Sequence, residues 1–109
     1  MNWKLVYLPK ALKDLESLDH SQQITVRKAI EKVNKNPLPN TEGGYGKPLG
    51  NNGNLDLRAC LKIKLKSSGL RAVYRLIRTE KEMQMIVIGL RADEEVYKIA
   101  YKRLKEIEE

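Results

Sequence analysis

The sequence predicts an α+β fold in the order β-α-α-β-β-β-α. The expected sheet is four-stranded and mainly antiparallel, with a helical hairpin on one face and a C-terminal helix flanking a basic groove on the other. Three observations predict it. From Leu55 to Lys66 apolar and polar residues alternate, Ser67-Ser68-Gly69 then breaks the run, and Leu70 to Arg78 returns, which is the pattern of a β-hairpin. Before it lie two stretches with apolar residues at helical spacing. After it, Met83 to Arg91 reads MQMIVIGLR, a short apolar run expected of a strand buried on both faces.

Taken in order, Asn2 to Leu8 is a short strand with Trp3, Leu5 and Tyr7 on one side. Pro9 suits a first helical turn, where its missing N–H costs nothing, and Ala11, Leu12, Leu15 and Leu18 make Pro9 to Leu18 a short amphipathic helix. Asp19 and Gln22 have capping-box spacing and start a second helix, with Val26, Ala29, Ile30 and Val33 as its stripe. Asn36-Pro37 and Pro39 end it. Thr41 to Asn54 carries five glycines and reads as a mobile connector. A phosphate-loop reading fails there: no glycine stands five residues before Gly46, and Pro48 occupies the Ser/Thr position after Lys47. In the hairpin, Leu55, Leu57, Ala59, Leu61, Ile63 and Leu65 share one parity and face the helical hairpin. Asp56, Arg58, Cys60, Lys62, Lys64 and Lys66 share the other. Val73, Ile77, Met85 and Val87 join that second face, under a last helix that opens on Asp93-Glu94-Glu95 and carries Val96, Ile99 or Ala100, Leu104 and Ile107 inward.

Residues 1–109 read as one domain, long enough to bury a core. A hydrophobic fraction of 41% beside 32% charged residues excludes an intrinsically disordered chain. The net charge of +7 favours an anionic partner. One cysteine, Cys60, allows no internal disulfide and no zinc cluster. No apolar run reaches the roughly 18 residues of a membrane span, and no signal core opens the chain, so a cytoplasmic protein is expected.

The runs LKIKLKSSGLRAVYRLI and IVIGLRADEEVYKIAYKRL, within Leu61 to Leu104, resemble the RelE-type toxins of the RelE/ParE superfamily, bacterial endoribonucleases that cut messenger RNA on the translating ribosome. The resemblance implies a site of two lysines one residue apart, an arginine after the hairpin turn, an arginine ending the last strand and a tyrosine in the last helix. Those positions are Lys62, Lys64, Arg71, Arg91 and Tyr97. It also implies a small antitoxin as partner, with the ribosome and mRNA as targets and no small-molecule cofactor. Many relatives carry histidine or lysine before the motif arginine; here it is Leu90.

The chemistry is consistent with those residue types. When a ribose 2′-OH attacks the neighbouring phosphate, the reaction needs a base, cations for the growing charge and an acid for the leaving 5′-oxygen. His20, the one histidine, starts the second helix and reads as a surface residue. No carboxylate cluster suggests a metal. The work then falls to Lys, Arg and Tyr. Lys64 is favoured as base, because crowded cations disfavour a protonated lysine. Lys62 and Arg71 are expected as phosphate clamps, Arg91 beside the leaving oxygen, and Tyr97 stacking on a base or orienting the 2′-OH. Lys47, Arg58, Lys66 and Arg75 are expected as supporting contacts to the nucleic acid backbone.

Each residue also has a simpler reading. The lysines fit a solvated strand face, Arg71 and Arg91 fit surface pairs with Glu94 or Glu95, and Tyr97 and Tyr101 fit the edge of a core. Cys60 has no activating base in view. Two other functions compete: a ParE-type inhibitor of DNA gyrase, with the same fold but generally without the lysine pair and the tyrosine at these positions, and an RNA-binding module without catalysis, which the positive charge alone would support.

Overall fold

The computed structural model describes residues 3–65, 68–90 and 92–108. Its strands are β1 (Lys4–Tyr7), β2 (Lys47–Asn52), β3 (Leu55–Leu65), β4 (Leu70–Ile77) and β5 (Glu82–Gly89). Its helices are α1 (Pro9–Glu16), α2 (His20–Asn34) and α3 (Asp93–Glu108). The strands form one sheet in the order β1-β5-β4-β3-β2. β1 runs parallel to β5, and the other neighbours are antiparallel.

Local chemistry starts the helices where the sequence predicts. Pro9 opens α1. Asp19 caps α2: its carboxylate accepts from the Gln22 backbone N–H at 2.8 Å, and the Gln22 side-chain oxygen accepts from the Asp19 N–H at 3.2 Å. α1 and α2 cover one sheet face, where Ala11, Leu15, Val26 and Ile30 meet Leu61, Ile63, Ala72, Tyr74, Met83 and Met85. α3 covers the other, where Val96, Tyr97, Ala100 and Leu104 meet Leu57, Cys60, Val73, Ile86 and Val87. The α1–β5–α3 seam is tied by Asp14 and Arg103. Arg103 donates to the Asp14 carboxylate at 2.7 and 3.2 Å and to the Ile86 carbonyl at 2.8 Å, while the Ile88 N–H donates to Asp14 at 3.0 Å.

Ile107, expected inward on α3, is exposed, as is Ala59, and three larger departures from the expectation bear on the sheet. First, the sheet has five strands, because part of the glycine-rich connector, Lys47–Asn52, pairs with β3. Second, Leu55 and Leu57 pack under α3, away from the helical hairpin. The β2–β3 register slips between Pro48 and Gly50, and across Arg58 and Ala59 the alternation loses one step, as at a bulge. Cys60 is therefore buried beneath α3 despite its polar parity. Third, Met85 faces the helical hairpin, because a second register slip brings Ile86 and Val87 together under α3.

The connector itself is folded. Tyr74 Oη donates to the Pro37 carbonyl at 2.8 Å, and Gly46 passes so close that a Cβ there would lie 2.4 Å from that hydroxyl and 2.5 Å from Leu61 Cδ2. Both neighbours are buried and have no room to retreat. Gly46→Ala is therefore expected to destabilise the protein by about 1–3 kcal/mol through overpacking, read as a lower urea midpoint at unchanged slope.

Candidate active site

Leu61, Ile63 and Leu65 point into the helical-hairpin core, so Lys62 and Lys64 project from the opposite face. Antiparallel pairing sets Lys64 across from Arg71 and Lys62 across from Val73. Arg71 in turn pairs with Gly89 near the end of β5, and α3 begins four residues later, so its first turns stand over these cations. Lys62 Nζ donates to Tyr97 Oη at 3.4 Å and lies 6.0 Å from that ring's centroid, at the outer limit of a cation–π contact. Tyr97 is only 6% exposed.

Asp93, the first residue of α3, bridges two of the cations. Its carboxylate accepts from Lys64 Nζ at 3.2 Å and from Arg71 Nε. Arg71 Nη1 also donates to the Gly69 carbonyl at 2.8 Å, and Gly69 holds a φ of +73° that glycine adopts freely. Desolvation pushes the Asp93 carboxyl up, but the hydrogen bonds and charges of Arg71 and Lys64 outweigh it and hold the group below its usual range. The Asp93 side chain stays 36% exposed, so the bridge is open to solvent.

Four predicted residues thus converge: Lys62, Lys64, Arg71 and Tyr97. Arg91 and Lys66 lie outside the described residues. Lys47 sits directly across from Lys62 on β2, next to the cluster. Arg58 does not join it; beyond the β3 slip its guanidinium is exposed and pairs with Asp56 at 2.9 Å. Arg75 shares the α3 face but is held by Gln84 at 2.8 Å. His20 is exposed at the start of α2, on the other side of the sheet. The Cys60 thiol is pushed up to about 12, chiefly by burial, which leaves it unreactive. Among the described residues no group of three or more His, Cys, Asp or Glu is placed to hold a metal ion, and no helix is long and apolar enough to cross a membrane.

Two residues escaped the sequence reading. Asp93 counted only as a complement to the helix dipole, while its real partner is Arg71 rather than Glu94 or Glu95 pairing with that arginine. Tyr45 lay unnoticed between two glycines of the connector. Its one signal was an aromatic side chain two residues before Lys47.

No family model matches the chain. The mRNA interferase toxin RelE of Escherichia coli strain K12 is 31% identical over 104 residues, covering 95% of this chain and 99% of that protein. A variant of E. coli toxin RelE in the free state superposes with a TM-score of 0.74 at 29% identity, over 95% of this chain and 99% of that one. The same variant in complex with an antitoxin RelBc peptide gives 0.69 at 29% identity, over 92% and 95% of the two chains. The mixed five-stranded sheet with its three helices matches these toxin structures.

Proposed function

We propose, because this chain belongs to the RelE family of mRNA interferase toxins, that residues 1–109 act as one toxin domain that cuts mRNA in the ribosomal A site with side chains alone. The observation that carries this reading is the meeting of Lys62, Lys64, Arg71 and Tyr97, from two strands and one helix, on a single solvent-open face. Once RNA has displaced Asp93, Lys64 in its neutral amine form takes the 2′-OH proton as that oxygen attacks the adjacent phosphorus, and the P–O5′ bond breaks as the 5′-oxygen takes a proton from the Arg91 guanidinium. The products are a 2′,3′-cyclic phosphate and a free 5′-OH. Lys62 and Arg71 hold the charge that builds on the phosphate. With its ring buried, Tyr97 offers little surface for stacking; its hydroxyl, bonded to Lys62, is better suited to orienting that lysine and the 2′-OH.

The RelE relatives whose structures are solved in complex with RelB antitoxin support a cognate antitoxin for this chain, and a ribosomal target implies the cytoplasm. The test is purified protein on ribosomes programmed with a defined mRNA, mapped by primer extension. The expected result is a discrete cut within the A-site codon. Intact message with blocked DNA supercoiling would overturn the reading in favour of gyrase inhibition. RNA binding without a cut would overturn it in favour of a passive binding module.

Asp93 carries the charge of the phosphate that must reach Lys64 and Arg71, so RNA has to displace it. Asp93→Asn removes that competitor while keeping the side chain's size. Binding of uncleavable RNA is expected to tighten about threefold or more at low salt, the gain shrinking as salt screens the charges; fluorescence anisotropy reads it directly.

A further inference from the structure

We propose that Tyr45 and the lysines beside it form a second RNA subsite, a stacking platform for the base of a nucleotide flanking the cleaved phosphate. The inference rests on the RNA-cleaving reading above and concerns a different surface of the same molecule.

Strand β3 outruns its neighbour. β2 begins at Lys47, opposite Lys62, so among the described residues Ile63–Leu65 have no strand partner on that side. A cavity of about 280 Å³ occupies the notch, lined by Tyr45, Lys47, Lys62, Lys64 and, from α2, Lys32 and Val33. Four lysines ring it, and none of its lining residues is acidic. Such a charge pattern suits a phosphate chain. Lys62 and Lys64 belong to both this cavity and the Asp93–Tyr97 cluster. A strand of RNA held at Arg71 and Lys64 therefore reaches the notch by crossing the edge of β3.

Tyr45 supplies what lysines cannot, a flat apolar face. Tyr45 is 55% exposed, which leaves its ring open to a ligand in the notch. Yet its backbone is firmly held. The Tyr45 N–H donates to the Asn36 carbonyl at 2.9 Å. On either side, a Cβ at Gly44 would lie 2.0 Å from the Leu38 carbonyl oxygen, and one at Gly46 2.4 Å from Tyr74 Oη. A solvent-facing aromatic on a rigid backbone, set among cations, is how proteins bind single-stranded nucleic acid: bases stack on the ring and lysines track the backbone.

The probe is a short single-stranded RNA with 2′-O-methyl riboses, which cannot be cut, carrying 2-aminopurine at one position after another. Anisotropy reads affinity, and 2-aminopurine quenching reads stacking. Tyr45→Ala is expected to weaken binding about tenfold, the worth of one lost base stack, and to abolish quenching at one position. Tyr45→Trp is expected to restore both, which separates lost stacking from damage to the fold. On programmed ribosomes Tyr45→Ala is expected to raise KM and leave kcat nearly unchanged. Binding by Tyr45→Ala within twofold of wild type would overturn the subsite while leaving cleavage by the wild type as proof of the activity. Tyr45-dependent RNA binding in a wild-type protein that cuts no message would uphold the subsite and sink the cleavage reading. Absence of RNA binding by the wild type, or Tyr45-dependent capture of polyglutamate in place of RNA, would overturn the subsite by marking the notch as no RNA site or as a seat for an acidic protein segment.

Discussion

Lys64→Ala is expected to lower the single-turnover rate of A-site cleavage by about a hundred- to ten-thousand-fold, the range for losing a positioned proton-transfer group. Lys64 stands opposite Arg71 on the hairpin and shares the Asp93 carboxylate with it. On the proposed mechanism its loss removes the proton acceptor together with the positive charge that Lys64 carries once protonated. Lys64→Arg separates the two effects: it keeps the charge, but guanidinium stays protonated and cannot accept the proton. A rate for Lys64→Arg near that of Lys64→Ala would identify Lys64 as the base. Substantial recovery would reduce it to a charge and move the base to Lys62. Cleavage by Lys64→Ala within threefold of wild type would remove Lys64 from the mechanism.

The second large effect concerns stability. Asp14→Ala is expected to cost about 2–4 kcal/mol, since it strands a mostly buried guanidinium and the Ile88 N–H. The Asp14 and Arg103 side chains are 20% and 18% exposed, enough shielding that solvent does not replace the lost partner. Removing both charges leaves less unpaired. Asp14→Ala combined with Arg103→Met is therefore expected to be more stable than Asp14→Ala alone, as paired urea melts would show. A double variant as weak as the sum of the two single ones would mean that the ion pair contributes nothing beyond its packing.

Much of this protein was legible along the chain, because the interactions responsible are local. A capping box needs only Asp19 and Gln22, and the Lys62/Lys64 face needs only the pleat of a strand. β2 was not legible. KPLGNN has neither alternating apolar residues nor β-branched ones, and it becomes a strand by backbone pairing with β3. Parity misplaces Leu57, Cys60 and Met85 for a related reason. A parity argument assumes an unbroken pleat, and two register slips, set by how neighbouring strands and α3 pack, break it.

The site divides along the same line. Lys62, Lys64, Arg71 and Tyr97 are implied by the resemblance that LKIKLKSSGLRAVYRLI and IVIGLRADEEVYKIAYKRL carry, and the hairpin's register sets Lys64 opposite Arg71. Their contact with Asp93, and the exposure of Tyr45 beside Lys62, come from elements far apart in sequence. Asp93 meets Lys64 across 29 residues and Arg71 across 22. Nothing local aims the start of α3 at that pair; the packing of Val96, Ala100 and Leu104 onto Val73 and Val87 does. The sequence settles that Lys62 and Lys64 share a face, because the pleat between them is unbroken. Only the packed tertiary structure decides which anion they hold and where an open ring lies beside them, because those contacts depend on how whole elements bury their apolar surfaces together.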